Sequence, residues 1–200
     1  VLSNAELALL AVGEELPGVA TIAIDNFEGA YRATNHLIDV GHTRIAIAGS
    51  QQLALDASPV LALRVDGYRA ALEDAGLKPR HEYDLAGMLS PAGGRAALDD
   101  LIELAERPTA VFFLSDEMAM GGLAQARRRG LHVPSELSVV GFDDHSQAEA
   151  AGLTTIRQRV RELGVMAAQR MLGFGDDHHD TSHELVPIEL VVRHTTSSPH

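Results

Sequence analysis

The chain has 200 residues, 46% hydrophobic but only 4% aromatic, with 28 acidic against 16 basic side chains and a formal net charge of −12; that length accommodates one large domain or two small lobes around a real core. Cysteine is absent, which excludes disulfides, thiol nucleophiles and thiolate metal sites, and no stretch approaches the roughly 18 apolar residues that span a membrane. So acidic a surface repels phosphates, and the polypeptide by itself is expected to have little affinity for DNA.

Leu7–Val12 reads as an apolar strand, broken by Glu14-Glu-Leu-Pro-Gly18, and Val19–Ile24 reads as a second that ends at Asp25-Asn26. Helical spacing follows in Ala30, Ala33, Leu37 and Ile38, with a stop at Gly41. Arg44–Ala48 reads as a buried strand ending at Gly49-Ser50, and residues 51–60 as a loop. A helix is expected from about Leu61 to Ala75, closed by Gly76, then a weaker strand over Glu82–Ala86. Ser90-Pro91 pairs a capping residue with proline at the first helical position, opening a helix to about Glu106.

Ala110-Val-Phe-Phe-Leu114 is apolar without alternation, so both its faces should be covered. Ser115, Asp116 and Glu117 suit a helix N-terminus, and Arg127-Arg-Arg-Gly130 supplies cations and a glycine at its end. Leu137–Phe142 is another buried strand and stops at Asp143-Asp144. Strand ends near Gly49, Gly87, Ser115 and Asp143 recur at intervals of about 30 to 40 residues, which suits successive βα units of a doubly wound parallel sheet. A short strand, Leu153–Ile156, precedes a helix over about Arg159–Leu172. The polar loop Asp176–His183, a final strand in Glu184–Val192 and a tail complete the chain.

Several strings occur here in a characteristic order. They are Asp25-Asn26, Gly29-Ala30, His36-Leu-Ile, Gly41-His-Thr-Arg-Ile45, Arg64-Val-Asp-Gly-Tyr68, Pro108-Thr-Ala and Ser115-Asp-Glu-Met-Ala-Met-Gly121, followed by Gly130-Leu-His-Val-Pro134, Leu137-Ser-Val-Val-Gly-Phe-Asp-Asp144, Leu153-Thr-Thr-Ile156 and Glu189-Leu-Val-Val-Arg193. No single tripeptide is specific, but their order and spacing are. From about Leu9 to Arg193 the chain resembles the effector-binding core of the LacI/GalR family of bacterial transcriptional repressors.

The resemblance implies a periplasmic-binding-protein-like type I α/β fold, with two lobes joined by three crossing strands and a ligand in the cleft. By that pattern, residues 1–25 and 157–178 form a partial N-terminal lobe, residues 26–156 and 183–193 the C-terminal lobe, and residues 194–200 a tail. The chain then reads as the C-terminal portion of a longer repressor, without the helix-turn-helix head and most of the N-terminal lobe. The implied protein is a cytoplasmic homodimer that takes a small-molecule effector, a sugar or sugar derivative, and meets operator DNA through the head this chain lacks. It implies no cofactor, no bound metal, no membrane contact and no catalytic residues.

Six ligand-contact candidates follow. Asp143, at a strand's carboxyl end, can accept two hydrogen bonds from neighbouring hydroxyls, whereas Asp144 is expected to cap the next turn. Arg64 matches the family's effector-contacting arginine, and its planar fork suits a polyol, carboxylate or phosphate; it is expected in the first turn of its helix. Ser115 stands where many sugar-responsive members carry Asn and can both cap its helix and offer one hydroxyl. Leu89 and Val160 fall where relatives place aromatic rings, which favours a small polar ligand over a flat purine. Glu15 aligns loosely with a cleft position of the N-terminal lobe. Asp116 reads as a helix-start anion, and His42 as structural. His178, His179 and His183 among acidic residues read as a solvated loop, and His145 lacks any accompanying nucleophile.

The first rival is a periplasmic sugar-binding protein of a transporter, which shares the fold; a helix-turn-helix or a signal peptide encoded upstream separates the two. The second is a nucleotide-using enzyme. It is opposed by the lack of G-x-G-x-x-G and of a P-loop, and by a single lysine, Lys78, in a turn.

Overall fold

The computed structural model describes residues 9–50, 58–173 and 181–199. The chain divides into two compact units, Val1–Asp25 with Gln158–Ile188, and Asn26–Arg157 with Glu189–His200. The backbone therefore passes between them three times, after Asp25, Arg157 and Ile188.

The second unit is built on four parallel strands, β3 (Ile45–Ala48), β4 (Asp84–Leu85), β5 (Ala110–Phe113) and β6 (Ser138–Val140), in the order β4-β3-β5-β6. β3, β5 and β6 are buried at every position, which is why they read as unbroken apolar runs rather than alternations. Helices α1 (Asn26–Asp39) and α2 (Pro59–Asp74) pack together, as do α3 (Pro91–Glu103) and α4 (Asp116–Arg129). Ala46, Ala48, Val111 and Phe113 join Leu98, Leu101 and Met118 in one apolar cluster. The alternate residues Ile45, Ile47 and Phe112 point to the other face. Two glycines mark where helices meet the sheet. A Cβ on Gly29 of α1 would lie 2.7 Å from the Phe142 ring, and one on Gly122 of α4 would lie 2.6 Å from the Phe113 ring. From β3 the chain goes out to β4 on one side and returns to β5 on the other, so the strand order reverses between β3 and β5. At such a point the carboxyl ends of the strands leave a crevice for a ligand.

Local signals act as expected at α3 and α4. The Ser90 hydroxyl accepts from the Gly93 amide at 3.1 Å and the Ser115 hydroxyl from the Met118 amide at 3.3 Å, while Gly130 closes α4 in the left-handed region at φ 72°. Helix α2 starts earlier than expected, with Pro59 at its first position; unlike Ser90, the Ser58 side chain makes no cap hydrogen bond. Arg64 consequently sits on the second turn and not the first. Of the expected loop 51–60, residues 51–57 lie outside the described residues.

Three other expectations are corrected. The single final strand is two: β8 (His183–Val186) pairs with β2 (Ala20–Ile24), and β9 (Glu189–Val191) pairs antiparallel with β7 (Thr155–Arg157). Pro187 lies between them and cannot donate to a ladder. Residues 183–188 thus belong with the first unit, whereas Arg157 belongs with the second. Residues 194–199 are no loose tail. The Val139 amide donates to Thr195 O at 2.7 Å, Ser138 and Ser197 exchange bonds at 3.1 and 3.0 Å, and His42 Nε2 meets Ser197 O at 2.9 Å. This satisfies the edge of β6 that β5 leaves open.

In the first unit, β1 (Leu10–Val12), β2 and β8 form a parallel sheet in the order β1-β2-β8. Helix α5 (Val160–Gly173) packs against β1 and β2. His178 and His179 lie outside the described residues. His183 opens β8, with Nδ1 4.0 Å from Glu15 Oε1.

Candidate ligand-binding site

At the carboxyl ends of β3, β5 and β6, the second unit gathers Arg64 with Asp116, Asp143 and Asp144. Arg64 is buried. Its Nε donates to Asn26 Oδ1 at 2.9 Å, its Nη1 donates to the Leu114 carbonyl at 2.6 Å, and its guanidinium carbon lies 3.7 Å from the centre of the Phe142 ring. Asn26 comes from the start of α1, Leu114 from the end of β5 and Phe142 from the end of β6, so three elements fix one planar group. Burial pushes the guanidinium's pKa down, opposed by the charge of Asp143 and then that of Asp116. An arginine starts high enough to remain charged throughout.

Asp143 Oδ1 lies 3.3 Å from Arg64 Nη1, and a third of the Asp143 side chain is exposed. A well-made charge-assisted bond runs at about 2.7–2.9 Å. The longer spacing, at a site open to water, marks a loose pair. Asp143 has φ 120° and Asp144 φ 53°, both in the region that favours glycine. Asp144 does not cap a turn as expected. Its carboxylate accepts from Arg157 Nε at 2.6 Å and from Arg193 Nη2 at 2.7 Å. Burial pushes its pKa up, and the two arginines more than offset this, holding it below the ordinary carboxylate range.

Asp116 is more than a helix-start anion. It is fully buried, accepts from Thr155 Oγ1 at 2.6 Å and from the His145 amide at 2.7 Å, and its own amide donates to Phe142 O at 2.8 Å. It thereby ties α4, the 142–145 turn and β7 together. Burial raises its pKa to about 6, against the lowering effect of those two donors. A Cβ on Gly141 would lie 2.2 Å from Asp116 Oδ1, so the close approach requires glycine there.

Of the six candidates, Arg64 and Asp143 meet directly. Ser115 is buried beside them, one residue after the carbonyl that Arg64 holds, with its hydroxyl occupied as the cap of α4. Leu89 is partly exposed, with Cδ2 3.3 Å from where a Cβ on Gly49 would stand at the end of β3. Glu15 and Val160 belong to the first unit. Asn26, Phe142, Asp116, Arg157 and Arg193 were not among the candidates. Asn26 read as the end of a strand, Asp116 as a helix-start anion and Phe142 as part of a buried strand, and the arginines carry no sequence signal for a carboxylate partner far along the chain. An apolar groove of about 820 Å3, lined in part by Met120, Leu123, Leu131 and Val133, lies on α4 and is not lined by Arg64 or Asp143. Among the described residues no group of His, Asp and Glu is placed to hold a metal, and no helix is long and apolar enough to cross a membrane.

Residues 34–196 match the model of the periplasmic binding protein-like domain. The chain belongs to this family. Within it the chain is an effector-binding core of the LacI/GalR type. It is 38% identical over 186 residues to the HTH-type transcriptional repressor CytR of Escherichia coli K12, a match covering 91% of this chain and 52% of the relative. It is 33% identical over 191 residues to the repressor PurR of Mannheimia succiniciproducens, covering 94% and 56%. The chain thus spans about half the length of the curated relatives it matches. A LacI family transcriptional regulator from Enterococcus faecium, solved with bound ribose, superposes with a TM-score of 0.84 at 25% identity over 94% of this chain and 70% of that one. These relatives are transcriptional regulators and not enzymes, and none is named as a transport protein.

Proposed function

We propose that this chain is the effector-binding portion of a cytoplasmic transcriptional repressor that binds a sugar or sugar derivative and controls DNA binding allosterically. The observation that carries the reading is the buried Arg64, locked by Asn26 and Leu114 O, with its fork turned to a partly open Asp143. A cation and an anion about 3 Å apart offer paired donors and acceptors to vicinal hydroxyls, and the Phe142 ring beneath keeps the guanidinium in plane. Ser115, Leu89, Glu15 and Val160 are proposed as further contacts. The ribose bound to the Enterococcus faecium relative supports a sugar as ligand class.

Operator DNA is contacted, in this reading, through a helix-turn-helix outside this chain, in a homodimer. This accords with the chain's net charge of −12, which disfavours direct contact with phosphates. Effector and operator affinities are then linked reciprocally. The test is a thermal-shift titration with D-ribose and a panel of related sugars. A ligand that binds the folded state raises the melting temperature, and Asp143→Ala is expected to abolish that rise. A rise of unchanged size in the variant removes Asp143 from the site.

A further inference from the structure

We infer that Arg157 and Arg193 are positioning residues of this site, acting through Asp144: they clamp its carboxylate and so hold Asp143 in the backbone conformation that turns it to Arg64. The inference rests on the reading of Arg64 and Asp143 as ligand contacts, and neither clamp arginine is assigned a contact with the ligand.

Two consecutive aspartates with positive φ are strained, and such residues persist only where their surroundings over-determine them. Here every residue of the turn is tacked down. Phe142 O accepts from the Asp116 amide at 2.8 Å, the Asp143 amide donates to Ile156 O at 2.8 Å, and the His145 amide donates to Asp116 Oδ2 at 2.7 Å. Asp144 supplies the remaining restraint, with each carboxylate oxygen taken by a different arginine, at 2.6 and 2.7 Å.

Both arginines are anchored in turn. Arg157 Nη1 reaches Glu189 Oε2 at 3.0 Å, and Arg193 Nη1 donates to the Leu153 carbonyl at 2.7 Å. Asp144 and Arg193 are nearly buried, at 12% and 13% exposure. Ion pairs taken out of water contribute little net stability, because desolvation consumes much of the attraction, but they fix geometry. The clamp is therefore expected to matter more for the shape of the turn than for global stability. It also ends on Arg157 and Glu189, the residues at which the chain leaves and re-enters the second unit.

The experiment uses the full chain and the variants Arg157→Met, Arg193→Met and Arg157→Lys. Amide hydrogen exchange gives a readout that needs no ligand. Exchange at Asp143, Asp144 and His145 is expected to rise at least tenfold in either Met variant and by less in Arg157→Lys, while the amides of β3 and β5 keep their protection. Unchanged exchange in the turn, or protection lost evenly through the second unit, overturns the inference. Where D-ribose raises the melting temperature of the parent chain, Arg157→Met should weaken ribose binding at least tenfold and add nothing in an Asp143→Ala background. Where ribose leaves the parent unmoved, the choice of sugar under the proposed function is what fails, and the exchange result alone decides the clamp.

Discussion

In the second unit, both faces of a four-stranded sheet are covered by helix pairs, and Phe112, Phe113, Phe142, Leu98, Leu101 and Met118 are all but fully buried. In the first unit, α5 buries only Leu163 and leaves Val160, Val165, Met171 and Leu172 exposed, while Leu9, Val12 and Leu185 are exposed along its sheet. A helix is held in water mainly by the apolar face it buries. Within this unit α5 buries one side chain of its 14 residues, with Met166 and Ala167 half-buried. The contrast separates two tasks. The unit that carries Arg64, Asp143 and the arginine clamp has its own complete core, so its site geometry is set locally. The other unit shows apolar surface that packing inside the unit does not use.

The largest expected effect tests the first half of that contrast. The Phe142 ring fills the space that Gly29 leaves on α1, lies 6.4 Å from Phe112 and supports the Arg64 guanidinium. Phe142→Ala should therefore destabilise the second unit by about 3–5 kcal/mol and release Arg64 from its plane. Urea unfolding followed by a second-unit probe measures the first effect, and loss of ligand-induced stabilisation the second. A loss below about 1 kcal/mol would show that the site does not rest on that core.

Asp116→Asn comes next, and its effect depends on pH. The folded state holds this carboxyl at about 6, above its ordinary 3.8. Its favourable contribution is thus fully present below about 3.8 and is lost as pH rises through 6. At pH 7 the ionised group costs the folded state on the order of 2–3 kcal/mol. Asparagine fits the same place, with Oδ1 accepting from the His145 amide and Nδ2 donating to Thr155 Oγ1. The variant should gain stability relative to the parent as pH goes from 4 to 7, by up to about 2–3 kcal/mol. Urea midpoints for both proteins across that range check it. A difference that does not change with pH would mean that burial does not govern this carboxyl.

Much of the second unit was legible because its signals are local. Continuous apolar strands, Ser before Pro or an acidic turn, and glycine after a basic helix end each depend on a few neighbouring residues, and β5, α3 and α4 appear where those signals place them. Arg64 and Asp143 came from the motifs around them. The remainder of the site was illegible for one physical reason: ion pairs and hydrogen bonds between distant residues leave no periodicity. Asn26 meets Arg64 across 38 positions, and Arg193 meets Asp144 across 49. Pro187 was visible, but a strand interrupted by one proline reads as a strand until its two halves are seen pairing with different partners.

The smallest expected effect tests the other half of the contrast. Leu172 is 88% exposed in the last turn of α5, whereas Leu163, on the same helix, is 5% exposed. Leu172→Lys removes no buried surface and puts a cation at the negative end of the helix dipole, so its effect should stay within about 0.5 kcal/mol. Leu163→Ala should cost roughly 2–3 kcal/mol through lost burial and the cavity left behind. Chemical denaturation of both variants, read with a first-unit probe, compares them directly. If Leu172→Lys proves as costly as Leu163→Ala, the exposed face of α5 is covered in solution, and the first unit is then packed as tightly as the second.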